Sequence, residues 1–95
     1  MTYKLVFKEE AEKEWRKLDP SIRDQFKKKL IERIENPHVP SAKLSNMTDC
    51  YKIKLRSAGY RLVYEVRDKE LVVSVVAVGK RERNAVYKIA VKRIE

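Results

Sequence analysis

One cysteine, one histidine and two glycines are all that the 95 residues contain of those types. A single thiol excludes an intramolecular disulfide framework, and Cys50 with His38 cannot fill a zinc coordination shell. Isolated Gly59 and Gly79 exclude a glycine-rich phosphate loop, and the lone histidine excludes ribonuclease chemistry built on a histidine pair. The longest nearly apolar run, Leu71 to Val78, falls far short of the roughly 20 residues of a membrane helix. No apolar signal core follows Met1, because Glu9, Glu10 and Glu12 arrive too soon, so a cytoplasmic protein without membrane attachment is expected. Acidic side chains are also in deficit, 14 against 23 lysines and arginines, for a net charge of +9. A hydrophobic fraction of 43% is enough for a packed core, and a single domain over residues 1–95 is expected. The charge points to a polyanionic partner without separating nucleic acid, membrane surface and acidic protein.

The excess charge is unevenly placed. Residues 1–48 carry 11 basic and 8 acidic side chains, whereas residues 49–95 carry 12 and 6. Cys50 to Tyr64 holds Lys52, Lys54, Arg56 and Arg61 with no acid.

Hydrophobic periodicity orders the chain. Tyr3, Leu5 and Phe7 alternate as a short strand, and Ala11, Trp15 and Leu18 then follow helical spacing. Asp19-Pro20 is a helix-start signal, with Asp19 as N-cap, for a second helix that buries Ile22, Phe26, Leu30 and Ile34. Lys27, Lys28, Lys29 and Arg33 are expected mostly around its other side. Pro37 and Pro40 make a loop reaching to about Asp49, in which His38 reads as an ordinary exposed residue. Tyr51, Ile53 and Leu55 alternate with Lys52, Lys54 and Arg56 on a strand that turns at Ser57-Ala58-Gly59. Tyr60 to Arg67 returns, Leu71 to Val78 reads as a central strand, and a last helix carries Val86, Ile89, Ala90 and Ile94. The order β-α-α-β-β-β-α predicts an α+β fold with an antiparallel sheet core, a helix pair on one face and the other face partly open.

Chemistry, if any, belongs to the basic residues. Glu9, Glu10, Glu12 and Glu14 suit the dipole and solubility of the first helix, and Cys50 suits a small apolar packing role. Only Asp49 and Glu65 lie near the basic strand, so a metal-dependent nuclease is disfavoured and neither metal nor cofactor is expected. Strand geometry puts Lys52, Lys54 and Arg56 on one face, and Arg61 joins them if Leu62 and Tyr64 face the core. Arg81 and Arg83 follow the last strand and Tyr87 comes a helical turn later, placed to close one end of that face. Any one of these cations reads most simply as solvated. Together, four or five without interleaved acids repel one another unless an anion sits among them. Such crowding lowers a lysine's pKa, making Lys52 or Lys54 a candidate base. Arg61 suits bidentate phosphate binding, and Tyr87 suits either helix packing or stacking on an RNA base.

At these residues the chain is similar to the RelE toxins of the RelE/ParE toxin–antitoxin superfamily. The likeness runs through KEWRKL ending at Leu18, QFKKKL ending at Leu30, DCYKIKLRSAGYRLVYEV from Asp49 to Val66, and VGKRERNAVY from Val78 to Tyr87. It implies a ribosome-dependent endonuclease that cuts mRNA in the A site, leaving a 2′,3′-cyclic phosphate and a 5′-hydroxyl. It implies a base and transition-state pair in Lys52 and Lys54, a phosphate contact in Arg61, protonation of the 5′-oxygen by Arg81, and base stacking by Tyr87. Arg56, Arg83, Lys27, Lys28, Lys29 and Arg33 are the candidate further RNA contacts, the helix residues toward 16S rRNA of the 70S ribosome. The implied partners are a RelB-like antitoxin, the ribosome with its A-site mRNA, and operator DNA only through the antitoxin complex. Ser45-Asn46 departs from the Arg-Gly of the family pattern. The alternatives are a ParE-like gyrase inhibitor without enzymatic activity and a plain nucleic-acid-binding module.

Overall fold

The computed structural model describes residues 2–45, 47–82 and 85–94. Strand β1 (Lys4–Phe7) leads into helices α1 (Glu9–Arg16) and α2 (Pro20–Glu35). After a 3-10 turn at Pro40–Ala42 come β2 (Cys50–Leu55), β3 (Tyr60–Arg67), β4 (Val72–Lys80) and α3 (Ala85–Ile94). The predicted order holds. The sheet runs β1-β4-β3-β2, and the meander β2-β3-β4 is antiparallel as expected. β1 instead lies parallel to β4, with Leu5 opposite Val73 and Phe7 opposite Val75, so the sheet is mixed. The α1-α2 excursion makes this possible, because a parallel neighbour cannot be reached through a tight turn.

One face of the sheet buries Tyr51, Ile53, Leu55, Leu62 and Tyr64 against Ala11, Ile22, Phe26 and Leu30 of the helix pair. Asp19 does stand at the N-cap position of α2 with Pro20 behind it, but its side chain caps no backbone N–H. The other face is only partly open, with Lys54 exposed at its β2 end. Val63, Val76 and Ala77 form a second apolar cluster with Cys50, sealed by Val86 and Ala90 of α3. A register shift between Val63 and Tyr64 creates this surface: Val63 pairs with Ala77 and Tyr64 with Val75, which leaves Val76 as the extra residue of a bulge. Val76 and Ala77 therefore both contribute to the second cluster. Gly79 lets α3 approach, since a Cβ there would meet Val86 Cγ2 at 3.3 Å. Leu71, which hydrophobicity places inside the strand, takes φ 54° and closes the preceding turn instead.

His38 does more than its loop position indicated. Its ring bridges the Tyr51 hydroxyl and Asp68 Oδ1, both at 2.8 Å, while the Tyr3 hydroxyl donates to the same carboxylate at 2.6 Å. These hydrogen bonds hold the Asp68 carboxyl below its usual range and tie the loop to the β3-β4 turn. Cys50 is fully buried as predicted, and burial, with Glu65 and Asp49 nearby, pushes its thiol up to about 12. A thiol in this state is inert. Ellman's reagent in mildly alkaline buffer is expected to leave the native protein unlabelled and to react at once in denaturant; rapid native labelling would contradict the burial.

Candidate active site

The β2-β3 hairpin and the end of β4 converge at one end of the sheet. Antiparallel register sets Lys54 opposite Arg61, and Arg61 opposite Gly79 of β4. Gly59 takes φ +72°, a conformation only glycine enters without strain, and its N–H donates to Leu55 O at 2.8 Å to close the hairpin. The Arg81 N–H donates to Gly59 O at 2.7 Å, so the residue after β4 is fastened to the hairpin tip through its backbone. Its exposed side chain remains available to the site.

The result is a cleft of about 180 Å³ lined by Lys54, Leu55, Arg56, Tyr60, Arg61 and Arg81. Four of these six are cationic, and no carboxylate is among them. Repulsion acts on Lys54, whose pKa falls below the ordinary lysine value chiefly because of Lys52. Partial desolvation, Arg61, Arg56 and Arg81 add to the effect. At the back of the site the Arg61 guanidinium sits 5.1 Å from the centre of the Tyr87 ring, within cation–π range. Burial raises the Tyr87 hydroxyl pKa, against the pull of Arg61. Tyr87 thus packs beneath the arginine and against the second apolar cluster, satisfying the helix-packing reading while lying next to the cleft.

The structure gathers Lys54, Arg56, Arg61 and Arg81 around one cleft, with Tyr87 against Arg61 and Lys52 in the adjoining groove. Lys27, Lys28 and Lys29 are exposed on α2 and line neither space. Arg33 is not on the far side of its helix. Its Nη1 donates to Lys52 O at 3.1 Å and to the Tyr64 hydroxyl at 2.9 Å, and its guanidinium lies 5.7 Å from the Tyr64 ring centre. The spacing held the signal: Arg33 follows Phe26 by seven residues and Leu30 by three, which is the buried stripe. Tyr60 was missed as a wall of the cleft because it looks like one more alternating strand aromatic. Arg83 and Asn46 lie outside the described residues.

A sequence model of the ParE toxin of type II toxin–antitoxin systems matches residues 5–85. Over 94 residues the chain is 61% identical to the mRNA interferase toxin RelE of Escherichia coli K12, covering 99% of each chain. The chain belongs to the RelE/ParE toxin family. Among solved structures, a doubly arginine-substituted Escherichia coli RelE in the free state aligns over 100% of both chains with a TM-score of 0.92 and 58% identity. RelE in the intact Escherichia coli RelBE toxin–antitoxin complex aligns at a TM-score of 0.82 and 59% identity, over 85% of this chain and 99% of that one. Among the described residues, no helix is long and apolar enough to cross a membrane, and no group of three or more His, Cys, Asp or Glu side chains is placed to hold a metal ion.

Proposed function

We propose that this toxin is a metal-independent endoribonuclease that cleaves mRNA in the ribosomal A site. The observation that carries the reading is the cleft in which Lys54, Arg61 and Arg81 converge without a carboxylate. RNA brings its own nucleophile. A lysine amine, neutral for part of the time, takes the proton of the 2′-hydroxyl as its oxygen bonds to the adjacent phosphorus. The P–O5′ bond breaks, Arg81 delivers a proton to the departing oxygen, and a 2′,3′-cyclic phosphate and a 5′-hydroxyl remain. Arg61, backed by Tyr87, offsets the charge that builds on the non-bridging oxygens. With the cleft open to solvent, the small domain supplies charge but little substrate alignment. The ribosome, through 16S rRNA contacts that include Lys27, Lys28 and Lys29, contributes the orientation. A RelB-like antitoxin with an acidic docking segment covers the same basic end or displaces α3, and operator DNA is reached only through that complex. The site of action is the cytoplasm.

Primer extension in a translating extract tests this reading against gyrase inhibition. Discrete breaks within codons are expected; arrested supercoiling with intact mRNA would favour the gyrase alternative. A second test follows from the crowding at Lys54. Removing the Lys52 ammonium relieves its largest repulsion, so Lys54 regains affinity for its proton. In Lys52→Met, the rising limb of the single-turnover pH–rate profile is expected to move to higher pH, and activity at neutral pH to fall. An unmoved limb would exclude Lys54 as the base.

A further inference from the structure

Beside the cleft, across the Lys54 and Arg56 side chains that border both spaces, lies a second groove of about 230 Å³. It runs along the outer edge of β2 and is lined by Arg33, Ser41, Ala42, Lys52, Lys54 and Arg56. Four cations and a hydroxyl face it, and among the described residues no carboxylate does.

Arg33 distinguishes this groove from a chance gathering of surface charge. Lysines on an open sheet face are mobile, and each loses side-chain entropy when it grips an anion. Arg33 is already held. Nη1 is fixed by Lys52 O and the Tyr64 hydroxyl, and Tyr64 in turn donates to Pro37 O at 2.8 Å and is fully buried. The other terminal nitrogen makes no hydrogen bond to the described residues, and Arg33 lines the groove. A planar donor fork fixed by a buried tyrosine is preorganised for a phosphate oxygen pair. Ser41, on the 3-10 turn across the groove, adds a rotatable hydroxyl donor.

We propose that this groove is a second phosphate subsite, which takes the internucleotide phosphate next to the one in the cleft. Arg33 acts as its fixed donor, with Lys52 and Ser41 around it. The proposal rests on the RNA-cleaving reading and deepens it. A strand held at two successive phosphates is fixed in direction along β2, which one phosphate contact cannot do. Lys52, which also lines this groove, then neutralises the neighbouring phosphate.

The test uses the purified full chain and a fluorescein-labelled 2′-O-methyl RNA trinucleotide, uncleavable and carrying two internucleotide phosphates. Anisotropy gives affinity as a function of salt. Replacing either phosphate by a neutral methylphosphonate is expected to flatten the log–log salt slope by about 0.7, the value for one single-strand phosphate contact. In Ser41→Asp, which puts a carboxylate into the groove, one phosphate is expected to lose its effect while the other keeps it. Arg33→Lys, which keeps the charge without the fork, is expected to give the same asymmetry. If only one phosphate matters in the wild type, or if the variants weaken both contributions equally, the subsite is wrong and the cleaving site stands. If the unmodified trinucleotide does not bind even at low salt, the subsite is wrong; the RNA-cleaving reading falls only if primer extension on translating ribosomes shows no breaks.

Discussion

Arg81→Ala is expected to lower single-turnover mRNA cleavage on translating ribosomes by about 10²–10³-fold, the usual loss when one preorganised charge partner of a transition state is removed. The thermal midpoint should barely move. Arg81 is exposed, and its attachment to the hairpin runs through its backbone N–H to Gly59 O, which alanine retains. Surface changes of this kind stay within about 0.5 kcal/mol. Its side chain borders the cleft that Arg61 enters from β3, so a phosphate there meets guanidinium groups from two sides. Guanidinium is a weak acid toward water, but a departing alkoxide is more basic than guanidine, so proton transfer runs downhill as the P–O5′ bond breaks. Arg81→Lys keeps the charge and should recover part of the rate. Full activity in Arg81→Ala would remove it from the chemistry and leave Arg61 as the only arginine of the proposed pair.

A site built from like charges must be held together by something else. Here the sheet does so: Lys54 and Arg61 are cross-strand partners, and Arg81 follows the strand that pairs with Arg61's own. Cross-strand like charges are destabilising in a sheet, a cost that burial of the apolar residues on the opposite face offsets. The apolar faces secure the pairing. The repulsion left over lowers the Lys54 pKa and attracts an anionic substrate.

The basic face was legible because a strand has a period of two. Once Tyr51, Ile53 and Leu55 are assigned to the core, Lys52 and Lys54 must point the other way, and the Gly59 turn carries the alternation to Arg61. What could not be read was long-range. The parallel seat of β1 on β4 depends on a crossover through two helices, and the partial closure of the second face depends on a bulge at Val76 that periodicity does not show. Arg33 was legible and misassigned: its spacing from Phe26 and Leu30 marks the buried stripe, but its charge argued for solvent. Glu14 was misread for the same reason. It sits in an acidic helix that looks uniformly solvated, and its partner Arg93 is 79 residues away.

That pair carries the second large effect. β1 pairs with β4 only as far as Val75, and beyond it the edge of β4 would expose unpaired backbone groups. Glu14 and Arg93 take the place of a strand there. Glu14 Oε1 accepts from Val78 N at 3.2 Å, and Arg93 Nη1 donates to Val76 O at 2.9 Å. The two side chains join each other through Nη1–Oε1 at 2.8 Å and Nη2–Oε2 at 3.1 Å. Arg93 is only 14% exposed, and its Nε reaches Glu10 at 3.3 Å. Glu14→Ala therefore removes the acceptor of a strand N–H and most of the countercharge of a largely buried guanidinium. The expected cost is about 2–3 kcal/mol, the range for leaving such partners unsatisfied, which lowers the melting temperature of a chain this size by about 10 °C or more. Glu12→Ala is the control, because Glu12 bonds Arg16 at 2.6 Å but both side chains are at least half exposed. Its effect should stay below about 0.5 kcal/mol. The location of the loss is also testable. Arg93 anchors α3 to α1, and α3 seals the cluster that contains Cys50. Loosening that anchor should open the cluster before the rest of the fold. Cys50 in Glu14→Ala should therefore react with Ellman's reagent under native conditions, while the Glu12→Ala protein stays protected. Protection in both variants, with equal melting temperatures, would mean that the clamp contributes nothing to holding α3.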